Sequence, residues 1–139
     1  MKPRIITTLA LIGVFLCGPS LFAAEQSSPS AADKPVKHVD AKEAQKLVVE
    51  KKVVIIDVRT PKEFNEGHIA GATNIDFRAE DFGKRIGQLD RSKTYLVHCA
   101  AGGRSTQSLA TFKKHEIKAV YHLDGGFNGW KKEGLPVEK

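Results

Sequence analysis

Residues Tyr95 to Ser105 read YLVHCAAGGRS, and within them a thiol, four small residues, an arginine and a hydroxyl follow one another without interruption. Cys99 closes an apolar run. Ala100, Ala101, Gly102 and Gly103 come next, and Arg104 and Ser105 lead into a segment with helical periodicity. Small side chains let such a loop curl with its backbone N–H groups turned inward. The start of a helix adds the positive end of a dipole. An anion is stabilised at such a place, and the nearest is the thiolate of Cys99 itself, whose pKa is expected below the ordinary value of about 8.5. Cys99 is therefore the candidate nucleophile. The plain alternative is a buried, inert cysteine closing a strand, and the diglycine, the arginine and the helix start argue against it.

The other cysteine, Cys17, lies in an opening segment of different character. Lys2 and Arg4 precede an apolar run from Ile5 to Leu16, followed by Gly18 and Pro19. This is the pattern of a secretory signal peptide. The run, roughly 12 residues, is short of the ~20 that a spanning helix needs. Cleavage is expected after Ala23 or Ala24, giving a signal peptide over residues 1–24 and a periplasmic or otherwise exported protein. Leu21 and Phe22, three residues before these cuts, are larger than such sites prefer, and the large Leu16 before Cys17 argues against a lipoprotein. A mature chain with one thiol cannot form an internal disulfide, so Cys99 is not a structural staple.

The 139 residues carry 22 basic and 16 acidic side chains, formally +6, and loss of Lys2 and Arg4 with the signal leaves a mildly basic mature protein. Those charges are scattered and have no aromatic residues stacked between them, which argues against a nucleic-acid partner. A monomer is expected, without membrane attachment after cleavage.

The elements that must position the loop are readable in outline. Residues 25–35, EQSSPSAADKP, are a flexible linker. One domain fills residues 36–139. Asp40 and Glu43 open a helix with Ala44, Leu47 and Val48 on one face. KVVIIDV is a strand covered on both sides. Thr60, Pro61 and Glu63 supply the cap, first-turn proline and capping partner of a short helix closed by Gly67. GATNID reads as a short strand, RAEDFGKRIGQL as a helix weakened by Gly83, and KTYLVHC as a second buried strand. Ser105 to His115 is a helix with Leu109 and Phe112 inward, KAVYHL another strand, and DGG turns into a last helix holding Phe127 and Trp130. Alternating strands and helices predict a parallel α/β sheet whose ligands bind beyond the carboxyl ends of the strands.

With these stretches in order, the chain resembles the rhodanese family, and specifically its exported single-domain members. IIDVRTPKEFNEGHIAGATNI, YLVHCAAGGRS, VYHLDGGFNGW and the closing GLPV carry the resemblance from about Val36 to Lys139. It implies a small α/β domain with a five-stranded, mainly parallel sheet and helices on both faces. The activity it implies is sulfur transfer through a persulfide on Cys99, without metal, nucleotide or organic cofactor. A small anionic donor such as thiosulfate would be bound by Ala100, Ala101, Gly102, Gly103, Arg104 and Ser105, with Arg59 at the same mouth; the acceptor would be a thiol, including one on a protein, or cyanide. Related phosphatases place one more residue between cysteine and arginine than the four here. The tighter loop suits a sulfur atom on Cys99 better than a phosphoryl group. A recruitment module without chemistry, and a redox or trans-sulfurating protein, are the competing functions.

Several side chains near the loop keep two readings. Arg104 binds the donor's anionic end, or pairs with a carboxylate such as Asp57 to brace the loop. Arg59 reaches the substrate, or forms a surface ion pair with Glu63. Asp57 is expected to orient backbone. His98 should face away from Cys99 in an alternating strand, and His68 fits a structural hydrogen bond. LDGGF and Trp130 read as a tight turn and a core anchor.

Overall fold

The computed structural model describes residues 36–117 and 119–139, and the expected signal peptide, Cys17 and the linker lie outside them. The chain runs β1 (Lys37–Val39), α1 (Ala41–Val49), β2 (Val54–Asp57), α2 (Pro61–Glu66), β3 (His68–Ile69), β4 (Thr73–Asn74), α3 (Phe82–Gly87), β5 (Thr94–His98), α4 (Gly103–Lys114), β6 (Ala119–Leu123), α5 (Gly126–Lys132) and β7 (Val137–Glu138). Five strands form one parallel sheet in the order β1-β6-β5-β2-β4. The two most apolar runs, β2 and β5, lie side by side within it, Ile55 opposite Leu96 and Ile56 opposite Val97.

Because side chains alternate across a strand, these runs feed two cores. On one face Ile56, Val97, Cys99 and Val120 pack with Phe82 and Ile86 of α3 and Phe112 of α4. On the other, Ile55, Leu96 and Leu123 pack with Ala44 of α1 and with Phe127 and Trp130 of α5. Ala44 is fully buried. Its small side chain lets α1 approach the sheet closely. Among the described residues no helix is long and apolar enough to cross a membrane.

Caps fix where the helices begin. Asp40 accepts the backbone N–H of Glu43 at 2.8 Å at the head of α1. Thr60 and Glu63 form the complete reciprocal box at the head of α2, with Pro61 in its first turn. Other boundaries differ from the sequence reading. The α4 helix starts at Gly103, two residues earlier than expected. The helix expected over RAEDFGKRIGQL is confined to α3, where Phe82 and Ile86 are its buried residues. The strands β1, β3 and β7 were not foreseen, because two or three residues are too few to show a period; β3 and β7 pair antiparallel as a separate ribbon.

Candidate active site

Cys99 follows β5 at the carboxyl edge of the sheet, where the α2 and α4 connections leave neighbouring strands. Its sulfur, on the α4 side, accepts the backbone N–H of Gly102 at 3.1 Å and lies 3.5 Å from the hydroxyl of Ser105. Burial raises the thiol pKa. The hydroxyl of Ser105 and the backbone N–H groups of Ser105, Ala101 and Gly102 outweigh that effect, so Cys99 titrates below an ordinary thiol. The groups that favour the charged form of the sulfur are thus already in place.

The loop is shaped by two glycines at close approaches. Gly102 has φ 104°, and a Cβ there would meet the carbonyl oxygen of Asp124 at 2.7 Å. Gly126 has φ 55°, and its Cβ would meet the carbonyl oxygens of Cys99 and Ala100 at 2.6 Å. That closeness has a purpose, since the backbone N–H groups of Phe127 and Asn128 donate to those same two carbonyls at 2.8 and 2.9 Å. The start of α5 therefore turns the loop carbonyls away from the sulfur. The sequence reading of LDGGF as a turn missed this role.

The expected ion-pair partners are exchanged. Arg104 pairs with Glu63, not Asp57, through two contacts of 2.7 Å. Glu63 is held to a pKa of about 2, first by its hydrogen bond from Arg104 and also by Thr60, against the opposing effect of burial. Arg59 pairs not with Glu63 but with Asp57, at 2.7 Å, and donates to the carbonyl of Gly67 at 2.8 Å. Both partners of this pair are buried. In an extended chain residues i and i+2 share a face, which brings Arg59 back over Asp57. Asp57 also accepts the backbone N–H of Arg59 at 2.9 Å, the backbone-orienting part expected of it.

His98 faces away from Cys99, as alternation required, and burial holds its pKa below the ordinary value. His68 contacts the carbonyl of Phe64 at 2.9 Å and stacks on its ring. Beside the loop opens a groove of about 490 Å³ lined by Arg59, Glu63, Gly67, Ala100, Phe127 and Lys131. Arg59 and Lys131 lie 4.1 and 5.0 Å from the centre of the Phe127 ring, and Glu66 and Glu138 also line the groove, so its wall carries both signs of charge. A hollow of about 540 Å³ between β1 and α1 is slightly larger but lies away from the thiol.

The Rhodanese-like domain family matches residues 40–133. Thiosulfate sulfurtransferase GlpE of Shewanella oneidensis is 34% identical, over 68% of this chain and 91% of its own length. Rhodanese-like domain-containing protein 14 of Arabidopsis thaliana is 32% identical over 76% of this chain, which spans 66% of that protein. Among solved structures, a rhodanese-related protein from Thermoplasma volcanium superposes with a TM-score of 0.66 at 28% identity, over 73% of this chain and 97% of that one.

Proposed function

The chain belongs to the rhodanese-like domain family, and from that premise we propose that it moves a sulfane sulfur from thiosulfate, or a similar small anion, through Cys99 to a thiol or cyanide acceptor. The observation that carries this reading is a cysteine sulfur that accepts from the loop backbone, with its pKa lowered and four residues before the arginine. In the first displacement the Cys99 thiolate attacks the outer sulfur of thiosulfate. The sulfur–sulfur bond breaks, and sulfite leaves with its electron pair. In the second, an acceptor thiolate or cyanide attacks the outer sulfur of the persulfide, and Cys99 departs as the thiolate it began as. No external oxidant or reductant is consumed. Covalent catalysis divides the transfer into two easier steps, and the N–H groups of Ala101, Gly102 and Ser105 are aimed where the negative charge sits before and after each.

Donor binding is assigned to the loop from Ala100 to Ser105, with Lys131 adding positive charge at the groove wall and Arg59, paired with Asp57, bracing that wall. Arg104 acts first as the brace to Glu63 and presents its remaining charge to the mouth. Export to the periplasm, as a single domain after signal cleavage, rests on the basic head and apolar run at the amino terminus, and a monomer remains the expected state.

The test is an intact mass after incubation with thiosulfate. The protein should gain one sulfur and lose it to cyanide, and Cys99→Ser should do neither while staying folded. No mass change, or a persulfide surviving in the serine variant, sinks the assignment. Aryl phosphates should not be hydrolysed above background.

A further inference from the structure

A continuous polar chain leads from the thiol to the far edge of the sheet. Ser105 Oγ lies 3.5 Å from Cys99 Sγ, 3.0 Å from the carbonyl oxygen of Gly102 and 2.8 Å from His122 Nε2. His122 Nδ1 lies 2.8 Å from Asp124 Oδ1, and the same oxygen is 2.6 Å from His38 Nδ1. His122 is buried, on the α4 side of β6. Asp124 is held ionised below the ordinary carboxylate range, first by its bond with His38 and also by that with His122.

Counting protons along this chain shows what it can do. An ionised carboxylate only accepts, so His122 Nδ1 carries a hydrogen. In neutral His122 the other nitrogen, Nε2, is then an acceptor. The single hydroxyl proton of Ser105 turns to it over the shortest of its three contacts, and the sulfur loses that donor. When His122 holds a second proton, Nε2–H donates to Ser105 Oγ, and the hydroxyl proton is released toward Cys99. A thiolate, being charged, is a stronger acceptor than the carbonyl of Gly102. We infer that His122 is a positioning residue whose charge state decides whether Ser105 donates to the Cys99 thiolate.

This rests on the sulfur-transfer reading only for its purpose, since the switch acts on the thiolate itself. The titratable and charged groups around His122 are His38 from β1, whose ring is 5.1 Å away edge-on, Asp124 beyond β6, and Cys99 and, across the sheet, His98 from β5. From α4 it meets the hydroxyls of Ser105 and Thr106. Protonated His122 and the Cys99 thiolate stabilise one another through one hydroxyl. With His122 neutral, the Ser105 proton stays on Nε2 and the thiolate is harder to form, so the two charge states of His122 give Cys99 two reactivities.

The experiment follows alkylation of Cys99 by iodoacetamide against pH, read by mass spectrometry on the peptide that contains it. The wild type should give a curve shallower than a one-proton titration. In His122→Gln the side chain neither gains nor loses a proton, so Ser105 keeps one orientation at every pH. That variant should follow a simple one-proton curve. Asp124→Asn, at an exposed position, removes the anion that favours protonated His122, so it should move the wild-type curve to higher pH and leave the high-pH plateau alone. Curves of one shape in all three proteins overturn the inference, as does an equal loss of rate at every pH in His122→Gln. Should that variant not fold, an unmoved inflection in Asp124→Asn overturns it alone. Alkylation needs no sulfur donor. A two-step curve without persulfide formation would therefore remove the proposed function and keep the switch, and persulfide with single-step curves would do the reverse.

Discussion

Glu63 receives Arg104 from the first turn of α4 and Thr60 from its own helix cap, so one carboxylate joins α4 to α2. Half of this was legible. Thr60 and Glu63 stand three residues apart, and that spacing announces a capping box. The other half, a contact across 41 residues, has no spacing to announce it. The same gap explains the exchanged arginines: spacing offered Glu63 to Arg59 at helical distance, and only the fold shows that Asp57 lies closer. A depressed carboxylate pKa stabilises the folded state above the unfolded value, here ~4.3, and the benefit is lost as pH falls through the folded value. With Glu63 held to a pKa of about 2, that window runs from there down to about 2. Glu63→Gln should therefore cost about 1 kcal/mol at neutral pH, in keeping with a partly exposed but bidentate pair. Denaturant unfolding should show the difference from wild type shrinking across the window; a gap that is constant with pH would mean that the charge of Glu63 contributes nothing.

Among the elements, those long enough to show a period were readable: the apolar runs of β2, β5 and β6, and the faces of α1 and α4. What joins them was not. Arg59 ties the end of β2 to the carbonyl of Gly67, between α2 and β3, so its pairing with Asp57 sets how α2 leaves the sheet. Asp57 is 0% and Arg59 4% exposed, which makes this a buried pair. Removing one partner leaves the other charge uncompensated, at a cost of roughly 3–5 kcal/mol. Arg59→Ala should show a loss of that order in chemical denaturation, and Arg59→Lys should restore little of it, because lysine lacks the planar fork that meets Asp57 and Gly67 together. Wild-type stability with a raised KM for thiosulfate would instead make Arg59 a donor-binding residue and not a brace.

At the scale of the molecule, the strand order explains why the site lies where it does. From β2 the chain moves outward to β4, and from β5 it moves outward the other way to β6, so the loops after β2 and β5 diverge and open a crevice. Alternation in the sequence foretold such a crevice without saying which strands flank it, because neighbour order is set by packing between segments far apart in the chain. The closing β7 strand belongs to the same long-range class. It pairs with β3, Glu138 accepts the backbone N–H of Gly71 at 2.8 Å, and Val137 and Glu138 line the groove beside the loop. Ending the chain after Pro136 keeps the bond from Trp130 to the Pro136 carbonyl and removes only this clip. The β7 strand is short and exposed, so its loss should lower stability by ~1–2 kcal/mol, the worth of a few hydrogen bonds. Thiolate stabilisation comes from the α4 side of the sheet and does not involve β7. The shortened chain should therefore melt earlier yet alkylate at Cys99 with the wild-type pH curve; a curve displaced along with the melting point would show that the ribbon shapes the loop itself.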